Sequence, residues 1–121
     1  MALDERVTET LKRGETMDIT TTGRKSGEPR RIELVYHNVD GHILISGQPG
    51  WPRSWLANLA AHPSFTFHLK GSVQADLPAT ARVITETAER EHFLKPIAAG
   101  WRIDHALMVT SAPLVEVTFD D

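Results

Sequence analysis

The 121-residue sequence contains no cysteine, which excludes disulfide bonds, thiolate metal sites and a cysteine nucleophile. It also lacks any apolar run near the roughly 18 residues that a membrane-spanning helix requires. Its first residues, MALDERVTET, include acidic side chains and have no apolar segment of the kind found in secretory signals. The formal net charge of −3 argues against a generally basic nucleic-acid-binding surface. We therefore expect one cytoplasmic domain that binds no nucleic acid and whose only membrane contact would be peripheral.

The motifs of several catalytic classes are also missing. There is no HExxH or HxH pattern, so no metal site is predicted. Neither GxSxG, which marks a serine nucleophile, nor the Walker A and GxGxxG phosphate loops occur. Asp18, Glu33 and Glu116 are isolated acids on predicted strands, and we expect them to face solvent or to pair with a base. Most of the six histidines are expected to be exposed or half-buried strand residues.

Strand signals dominate the first half of the chain. β-Branched residues are frequent, and the dipeptide Asp40-Gly41 is a strong signal for a tight hairpin. Near the start, Leu3, Val7 and Leu11 repeat every four residues, as in a short amphipathic helix. The predicted elements of this half are a helix over residues 3–12, strands over residues 17–22, 30–39 and 42–46, and a turn over residues 23–29.

The second half mixes helices and strands. Pro63 ends a predicted helix, because the residue before a proline avoids helical geometry. Phe65, Phe67 and Leu69 alternate with polar residues, which is typical of a strand with one buried face. The predicted elements are helices over residues 54–61 and 86–99, the latter with Ala88, His92 and Phe93 on its inner face, and strands over residues 65–70, 73–85 and 114–119, while residues 101–111 fit no single element.

About six strands with only short helices between them predict a mainly β, α+β architecture. A Rossmann fold would require strands and helices to alternate regularly along the chain. A closed or half-open antiparallel barrel is therefore the better interpretation. We expect a single domain, made of an N-terminal helix within residues 1–14 and a barrel over residues 15–121.

The most unusual segment is TTTGRKSGEPRR, residues 20–31. Glycine lets backbone N–H groups turn toward an anion, and arginine offers paired donors to phosphate or carboxylate. Ser26 adds a hydroxyl. We call residues 23–30 the basic turn; an anion-binding site and a plain solvated hairpin tip are both compatible with it. The cations of the segment are Arg24, Lys25, Arg30 and Arg31.

A second segment, residues 47–63 (GQPGWPRSWLANLAAHP), combines a loop with a predicted helix. Trp55 and Asn58 are three residues apart and therefore share one helical face. Arg53 stands at the first turn, where the helix dipole disfavours a cation but favours a bound anion. The residues also allow a simpler interpretation, in which Trp55 belongs to the core and Asn58 is a cap or a surface residue.

Together the two segments resemble the deazaflavin-dependent nitroreductase and quinone reductase family of the split β-barrel flavoprotein superfamily. The matching strings are TTTGRKSGEPR at residues 20–30, Y-x-x-x-D-G at residues 36–41 and W-x-x-N-L-x-x-x-P at residues 55–63. The agreement covers most of the chain from residue 16 on. This resemblance implies a split β-barrel of the FMN-binding type, coenzyme F420 as cofactor, and hydride transfer from the reduced deazaflavin to a quinone, a nitro compound or a similar small-molecule acceptor.

The same resemblance assigns roles to individual residues. The basic turn would hold the phosphate and the polyglutamate tail of F420. The loop over residues 47–50 has no lysine where family members often carry a Ser-Lys pair, and Arg53 is the candidate substitute. No side chain is assigned as a catalytic acid or base. The expected cofactor-binding residues are Arg24, Lys25, Ser26, Arg30, Gln48, Arg53, Trp55 and Asn58, and the expected substrate-pocket residues are Trp101 and His105, which stand where family members carry tyrosines.

Two alternatives stay open at this stage. The same barrel could bind FMN, or it could hold a lipid-like ligand without catalysing a reaction. The missing loop lysine and an apolar set of side chains favour the lipid-like ligand, although the same side chains could line a flavin site or form core. The sequence does not decide the oligomeric state, and a homodimer is compatible with it. The apolar set consists of Trp51, Trp55, Trp101, Ile103 and Leu107.

Overall fold

Six antiparallel strands close into a barrel in the computed structural model, which describes residues 4–50 and 53–120. The elements along the chain are α1 (Glu5–Leu11), β1 (Glu15–Thr22), β2 (Pro29–Val39), β3 (His42–Ser46), α2 (Ser54–Ala61), β4 (Ser64–Lys70), β5 (Gln74–Val83), α3 (Thr87–Trp101), α4 (His105–Ser111) and β6 (Leu114–Phe119). Around the barrel the strands follow the order β1-β2-β3-β6-β5-β4. The predicted mainly β architecture with short helices is confirmed.

Alternate residues of the strands fill the barrel, as the period-two geometry of a strand requires. On β1 these are Met17 and Ile19, and on β4 they are Phe65, Phe67 and Leu69, all nearly or fully buried. The predicted buried face of β4 is thus confirmed. A second apolar cluster lies where α3 and α4 cover the outer side of the barrel, and it includes Leu44, Ile84, Phe93, Leu94, Ile97, Met108 and Leu114.

Tyr36 fastens α1 to the barrel. Its ring is fully buried and meets the ring of Phe67 edge-on, with 5.3 Å between the centroids. Its hydroxyl donates a hydrogen bond of 2.9 Å to the backbone carbonyl of Thr10 in α1. Burial raises the pKa of Tyr36 to about 12, so the hydroxyl remains a donor throughout the ordinary pH range. Val7 and Leu11 of the same helix join the core, so α1 covers this end of the barrel.

The hairpin between β2 and β3 has the predicted two-residue turn. Asp40 and Gly41 both have positive φ angles, 53° and 84°, as the turns favoured in tight hairpins require. β2 is much longer than β3: residues 29–36 pair with β1, but only residues 36–39 pair with β3. Because Tyr36 pairs with Ile45, the next residue of β3, Ser46, lies opposite Val35. Residues 29–34 have no described strand on their second side, and we call them the open edge of β2.

The prediction for the inner face of α3 was wrong for Ala88 and His92, which are exposed. The apolar residues of this helix are concentrated in its second half, so its first turns show little of the apolar repeat that marks a buried helical face. Its buried residues are Phe93, Leu94, Ile97 and Ala98, which form one stripe of an α-helix. The acids behave as predicted: Asp18, Glu33 and Glu116 each pair with at least one base.

Residues 101–111, which no single predicted element covered, form the end of α3 and all of α4. Arg102 has a left-handed φ of 58° and ends α3. The Asp104 carboxylate then accepts the Leu107 N–H at 2.9 Å and caps α4. In the part of the chain that the structure describes, no helix is long and apolar enough to cross a membrane.

The N-terminal helix and the fifth strand are shorter than the sequence predicted. α1 begins at Glu5, and Leu3 lies outside the described residues. β5 covers Gln74–Val83 instead of residues 73–85. Element boundaries are the least certain part of such predictions because terminal turns depend on capping and packing.

We predict that Tyr36→Phe lowers the free energy of unfolding by about 1–3 kcal/mol, because the Thr10 carbonyl then loses its buried donor. Urea denaturation followed by circular dichroism measures the change. Thr80→Val is the matched control, since it removes an exposed hydrogen bond to Asp120 and should cost less than about 1 kcal/mol. Equal losses in the two variants would contradict the role given to Tyr36.

Candidate functional site

A groove of about 460 Å³ opens at one mouth of the barrel, a size within the usual range for small-molecule sites. It lies between the end of β1, the basic turn, the start of β2 and the first turns of α2. Its lining combines four cations with the apolar side chains of Ile32 and Trp55. The lining residues are Thr21, Gly23, Arg24, Lys25, Ser26, Arg30, Arg31, Ile32, Ser54, Trp55 and Asn58.

Internal hydrogen bonds hold the backbone of the basic turn. The Gly23 N–H donates to the Glu28 carbonyl at 2.8 Å, and the Gly27 N–H donates to the Gly23 carbonyl at 2.9 Å. The Ser26 hydroxyl accepts the Glu28 N–H at 3.1 Å. A Cβ at Gly23 would stand only 2.5 Å from the Ser26 hydroxyl oxygen, so a side chain here would force Ser26 out of its hydrogen-bonding position. Ser26 thus helps to shape the turn as well as lining the groove.

Three cations of the groove have no carboxylate partner among the described residues. Arg24, Lys25 and Arg30 are exposed and form no ion pair there. Arg31 differs, because its Nε donates to Asp18 at 2.8 Å. Hydrogen bonds from Lys70 and then from Arg31 hold the pKa of the Asp18 carboxyl below its usual range. The groove therefore presents three positive charges that an anionic ligand could neutralise.

Asn58 connects α2 to the basic turn. It is only 5% exposed, and its Oδ1 accepts the backbone N–H of Arg24 at 3.0 Å. Its Nδ2 donates to the Thr21 hydroxyl at 3.2 Å, and Thr21 is itself buried at the end of β1. Asn58 is thus neither a cap nor a surface residue; it fixes the backbone of Arg24 against the helix. Trp55, one turn earlier, is buried and forms part of the groove wall.

The loop that precedes α2 is folded onto itself. The Arg53 guanidinium donates from Nη2 to the Gln48 carbonyl at 2.5 Å and lies against Gly47. Burial lowers the pKa of Arg53 from its ordinary value. Neither Gln48 nor Arg53 belongs to the lining of the groove, so the structure places them beside the site and does not bring them into it. Their contact with a cofactor stays a prediction.

The structure places Trp101 and His105 away from the groove. The Trp101 ring meets the His37 ring edge-on at 5.1 Å, and His105 Nε2 lies 2.9 Å from the Glu91 carbonyl oxygen. Along β2, His37 is seven residues beyond Arg30, about 23 Å at the rise of an extended strand. These residues are not brought together with the basic turn within one chain, and a role in acceptor binding stays a prediction.

Five lining residues were absent from the predicted list of cofactor-binding residues: Thr21, Gly23, Arg31, Ile32 and Ser54. Strand alternation could have found two of them. Thr21 shares the inward face of Met17 and Ile19, and Ile32 pairs with Ile19 on the same side of the sheet. Gly23 and Arg31 belong to the segment of residues 20–31 that the sequence had already marked as unusual. Ser54 stands at the exposed first turn of α2, and no sequence pattern marks it. Trp51 lies outside the described residues.

The fold and the groove together define a split-barrel protein with a cationic ligand site. The family model of the F420H2-dependent quinone reductases matches residues 1–117, and the chain belongs to that family. Coenzyme F420 is the cofactor on which the family depends. This confirms the predicted resemblance to the deazaflavin-dependent reductases.

Solved structures of similar proteins agree with this assignment. An F420H2-dependent reductase, FDR-A, is 26% identical over 85% of this chain and 93% of its own, with a TM-score of 0.64. A structure described as a domain-swapped dimer is 29% identical over 85% of this chain and 79% of its own, with a TM-score of 0.62. An FAD-binding protein from Mesorhizobium loti is 13% identical over 98% of this chain and 91% of its own, with a TM-score of 0.64. This similarity shows the shared fold alone.

The Asn58→Leu variant should lose about 1–3 kcal/mol of unfolding free energy, because it removes the acceptor of the part-buried Arg24 N–H and the buried hydrogen bond to the Thr21 hydroxyl. Thermal and urea denaturation measure the loss. Ser54→Ala, on the exposed side of the same helix, is the control and should change stability by less than about 0.5 kcal/mol. If Asn58→Leu is as stable as the wild type, the link between α2 and the basic turn carries no energy.

Burial lowers the pKa of His37 below its ordinary value of 6.5. The unfolded chain therefore binds a proton at this residue before the folded chain does, and stability falls as the pH drops below 6.5. We expect the free energy of unfolding of the wild type to fall, relative to that of His37→Gln, as the pH drops from about 7.5 to about 5.5. Ser54→Ala, which changes an exposed residue that does not titrate, serves as the control and should show no such trend.

Proposed function

We propose that the protein is an F420-dependent oxidoreductase that passes hydride from the reduced deazaflavin to a quinone, a nitro compound or a similar electrophilic acceptor. The observation that carries this proposal is the groove at the barrel mouth, where three cations without described carboxylate partners share the lining with the apolar side chains of Ile32 and Trp55. Family membership supports the reductase class and the cofactor. The choice of acceptor rests on the chemistry of the groove.

The residues of the groove fit the two chemical parts of F420. The phosphate and the polyglutamate tail are anionic, and Arg24, Lys25 and Arg30 offer the matching charges at the rim. The ring system is flat and largely apolar, and Ile32 and Trp55 form an apolar wall close to those charges. Bound there, the reduced deazaflavin supplies the hydride, and the chain supplies orientation and an environment with less water.

No lining residue of the groove is an acid or a histidine, so no described side chain there is suited to hold or release a proton near neutral pH. A quinone that accepts hydride also needs one proton to become the hydroquinone. We infer that solvent delivers this proton through the open side of the groove. The acceptor would then enter by the same side, past Ile32 and Ser54. A groove without its own acid therefore favours acceptors that need, after hydride transfer, only one proton from water to reach their reduced form.

Replacing Arg24, Lys25 or Arg30 with alanine should each weaken F420 binding by about tenfold, since each change removes one charge-assisted contact worth roughly 1.5 kcal/mol. Isothermal titration calorimetry measures the affinity, and thermal unfolding checks that each variant folds. Arg31→Ala is the matched control: Arg31 lines the same groove but is already paired with Asp18, so its loss should change the affinity less. Unchanged affinity in all three test variants would refute the assigned role of the basic turn.

A parallel titration with FMN separates this proposal from its alternatives. Tight binding of F420 and not of FMN, followed by oxidation of F420H2 in the presence of menadione, would support the deazaflavin reductase. Binding of FMN in place of F420 would keep hydride chemistry but replace the cofactor. Binding of neither cofactor would leave a non-catalytic site for an anionic, lipid-like ligand, and the enzymatic proposal would fail.

A further inference from the structure

On the outer face of the barrel, His68 lies between a carboxylate and a hydroxyl. Thr20, His68 and Asp76 belong to the adjacent strands β1, β4 and β5, and each alternates with residues of the core. His68 Nδ1 lies 2.6 Å from Asp76 Oδ1, and its Nε2 lies 2.7 Å from the Thr20 hydroxyl oxygen. Although it is on the outer face, His68 is only 7% exposed. All three residues lie outside the described lining of the groove.

The two contacts of His68 define where the neutral imidazole carries its proton. A carboxylate accepts hydrogen bonds and cannot donate one, so we assign the proton to Nδ1, which faces Asp76. Nε2 is then an acceptor, and the Thr20 hydroxyl donates to it. A histidine held at Nδ1 by a carboxylate and bonded at Nε2 to a hydroxyl is the arrangement that activates a nucleophile.

A cavity of about 320 Å³ opens beside Thr20. The pairing of β1 with β4 ends at Thr20 and Thr66, and the cavity lies where the two strands separate beyond that pair. No described residue that lines it is charged. A cavity of this size and polarity suits a short, uncharged acyl group. Its lining includes Thr20, Thr22, Ser64 and Thr66, together with Pro29 and Phe65.

We propose that Thr20 is a nucleophile activated by His68 and that this second site cleaves small, uncharged carboxylic esters. The Thr20 oxygen attacks the carbonyl carbon of the ester while its proton passes to His68 Nε2. The tetrahedral intermediate then expels the alcohol, which takes that proton, and the acyl group stays on Thr20. Water attacks this acyl group with Nε2 as its base, and the proton returns to the Thr20 oxygen as the carboxylic acid leaves.

The gap between β1 and β4 also supplies a donor for the oxyanion. The bond from the Gly23 N–H to the Glu28 carbonyl shows that odd-numbered residues here face β2, so the Thr22 N–H points toward β4. Thr21 and Phe65 would pair if that N–H bonded β4, and they do not, so it meets no carbonyl of the described strand. A backbone donor held in place by the ladder with β2 can stabilise the charge that develops on the carbonyl oxygen.

This ester-cleaving site goes beyond the proposed function and does not depend on it. It uses none of the cations of the groove and requires no F420, although Thr21 lines both cavities. The cofactor-free protein should therefore show the activity, and a failure of F420 to bind would leave it unaffected.

The full chain without cofactor, incubated with p-nitrophenyl acetate, tests the proposal. We expect release of p-nitrophenolate and an acetyl group on Thr20, located by mass spectrometry of peptides and removed by hydroxylamine, which cleaves esters but spares acetylated lysines. Thr20→Val removes the nucleophile with little change of shape and should lower the release at least about tenfold, whereas Thr20→Ser should retain it. Thr118→Val, at an exposed threonine of β6, is the matched control and should keep the wild-type rate.

Two variants of the partners test the activation itself. His68→Gln should lower the rate by about a hundredfold, the contribution typical of a general base. Because loss of a buried histidine can also unfold the barrel, Asp76→Asn is the second test: its side chain is 77% exposed, and Asp76 acts only by positioning His68. Asp76→Asn should fold normally and react at least about tenfold more slowly, and Asp76→Glu should recover part of the rate.

Two results would overturn the proposal. One is a wild type that neither carries an acetyl group on Thr20 nor releases p-nitrophenolate faster than Thr20→Val. The other is a folded Asp76→Asn variant that reacts as fast as the wild type, since the contacts of His68 would then be structural only.

Discussion

The ladder between β1 and β2 sets the position of almost every residue in the groove. It pairs Thr21 with Arg30 and Ile19 with Ile32, so that Arg30 and Ile32 share the inward side of the sheet. A slip of one residue would turn both to the outer face and replace them with Arg31, which is committed to Asp18. The internally bonded basic turn prevents that slip, because its backbone closes only in this register.

The second requirement is the link between the basic turn and α2. Asn58 contacts Thr21 and the backbone of Arg24 at once, so the turn, the strand and the helix keep one relative position. Three exposed cations then stand together without a described carboxylate. Water screens their repulsion, so the free protein tolerates the cluster at small cost. The anion-binding site is therefore preorganised in the free protein.

The unequal lengths of β2 and β3 create both the groove and the open edge. Because β3 covers only the last residues of β2, the first six project past the neighbouring strand, and Arg30, Arg31 and Ile32 among them line the groove. An unpaired edge is usually protected by charges and proline, and here Pro29, Arg31 and Glu33 occupy it.

The sequence by itself determined the elements that depend on local preferences. The hairpin at Asp40-Gly41, the alternating face of β4 and the internal shape of the basic turn follow from residue types and their spacing, because each needs only neighbours in the chain. The grouping of cations around a turn was also visible there. The family strings placed the basic turn and α2 in one site, and the structure brings both segments to one groove.

Only the tertiary structure decided which side chains meet. Asn58 and Arg24 are 34 residues apart, and no spacing rule distinguishes a buried link of this kind from a cap or a surface residue. Arg31 and Arg30 are neighbours of the same type, yet one is neutralised by Asp18 from the adjacent strand and the other is left for a ligand. Trp101 packs on His37, far from the basic turn, because α3 crosses the other end of β2. Contacts of this sort depend on strand register and helix packing, which local sequence does not encode.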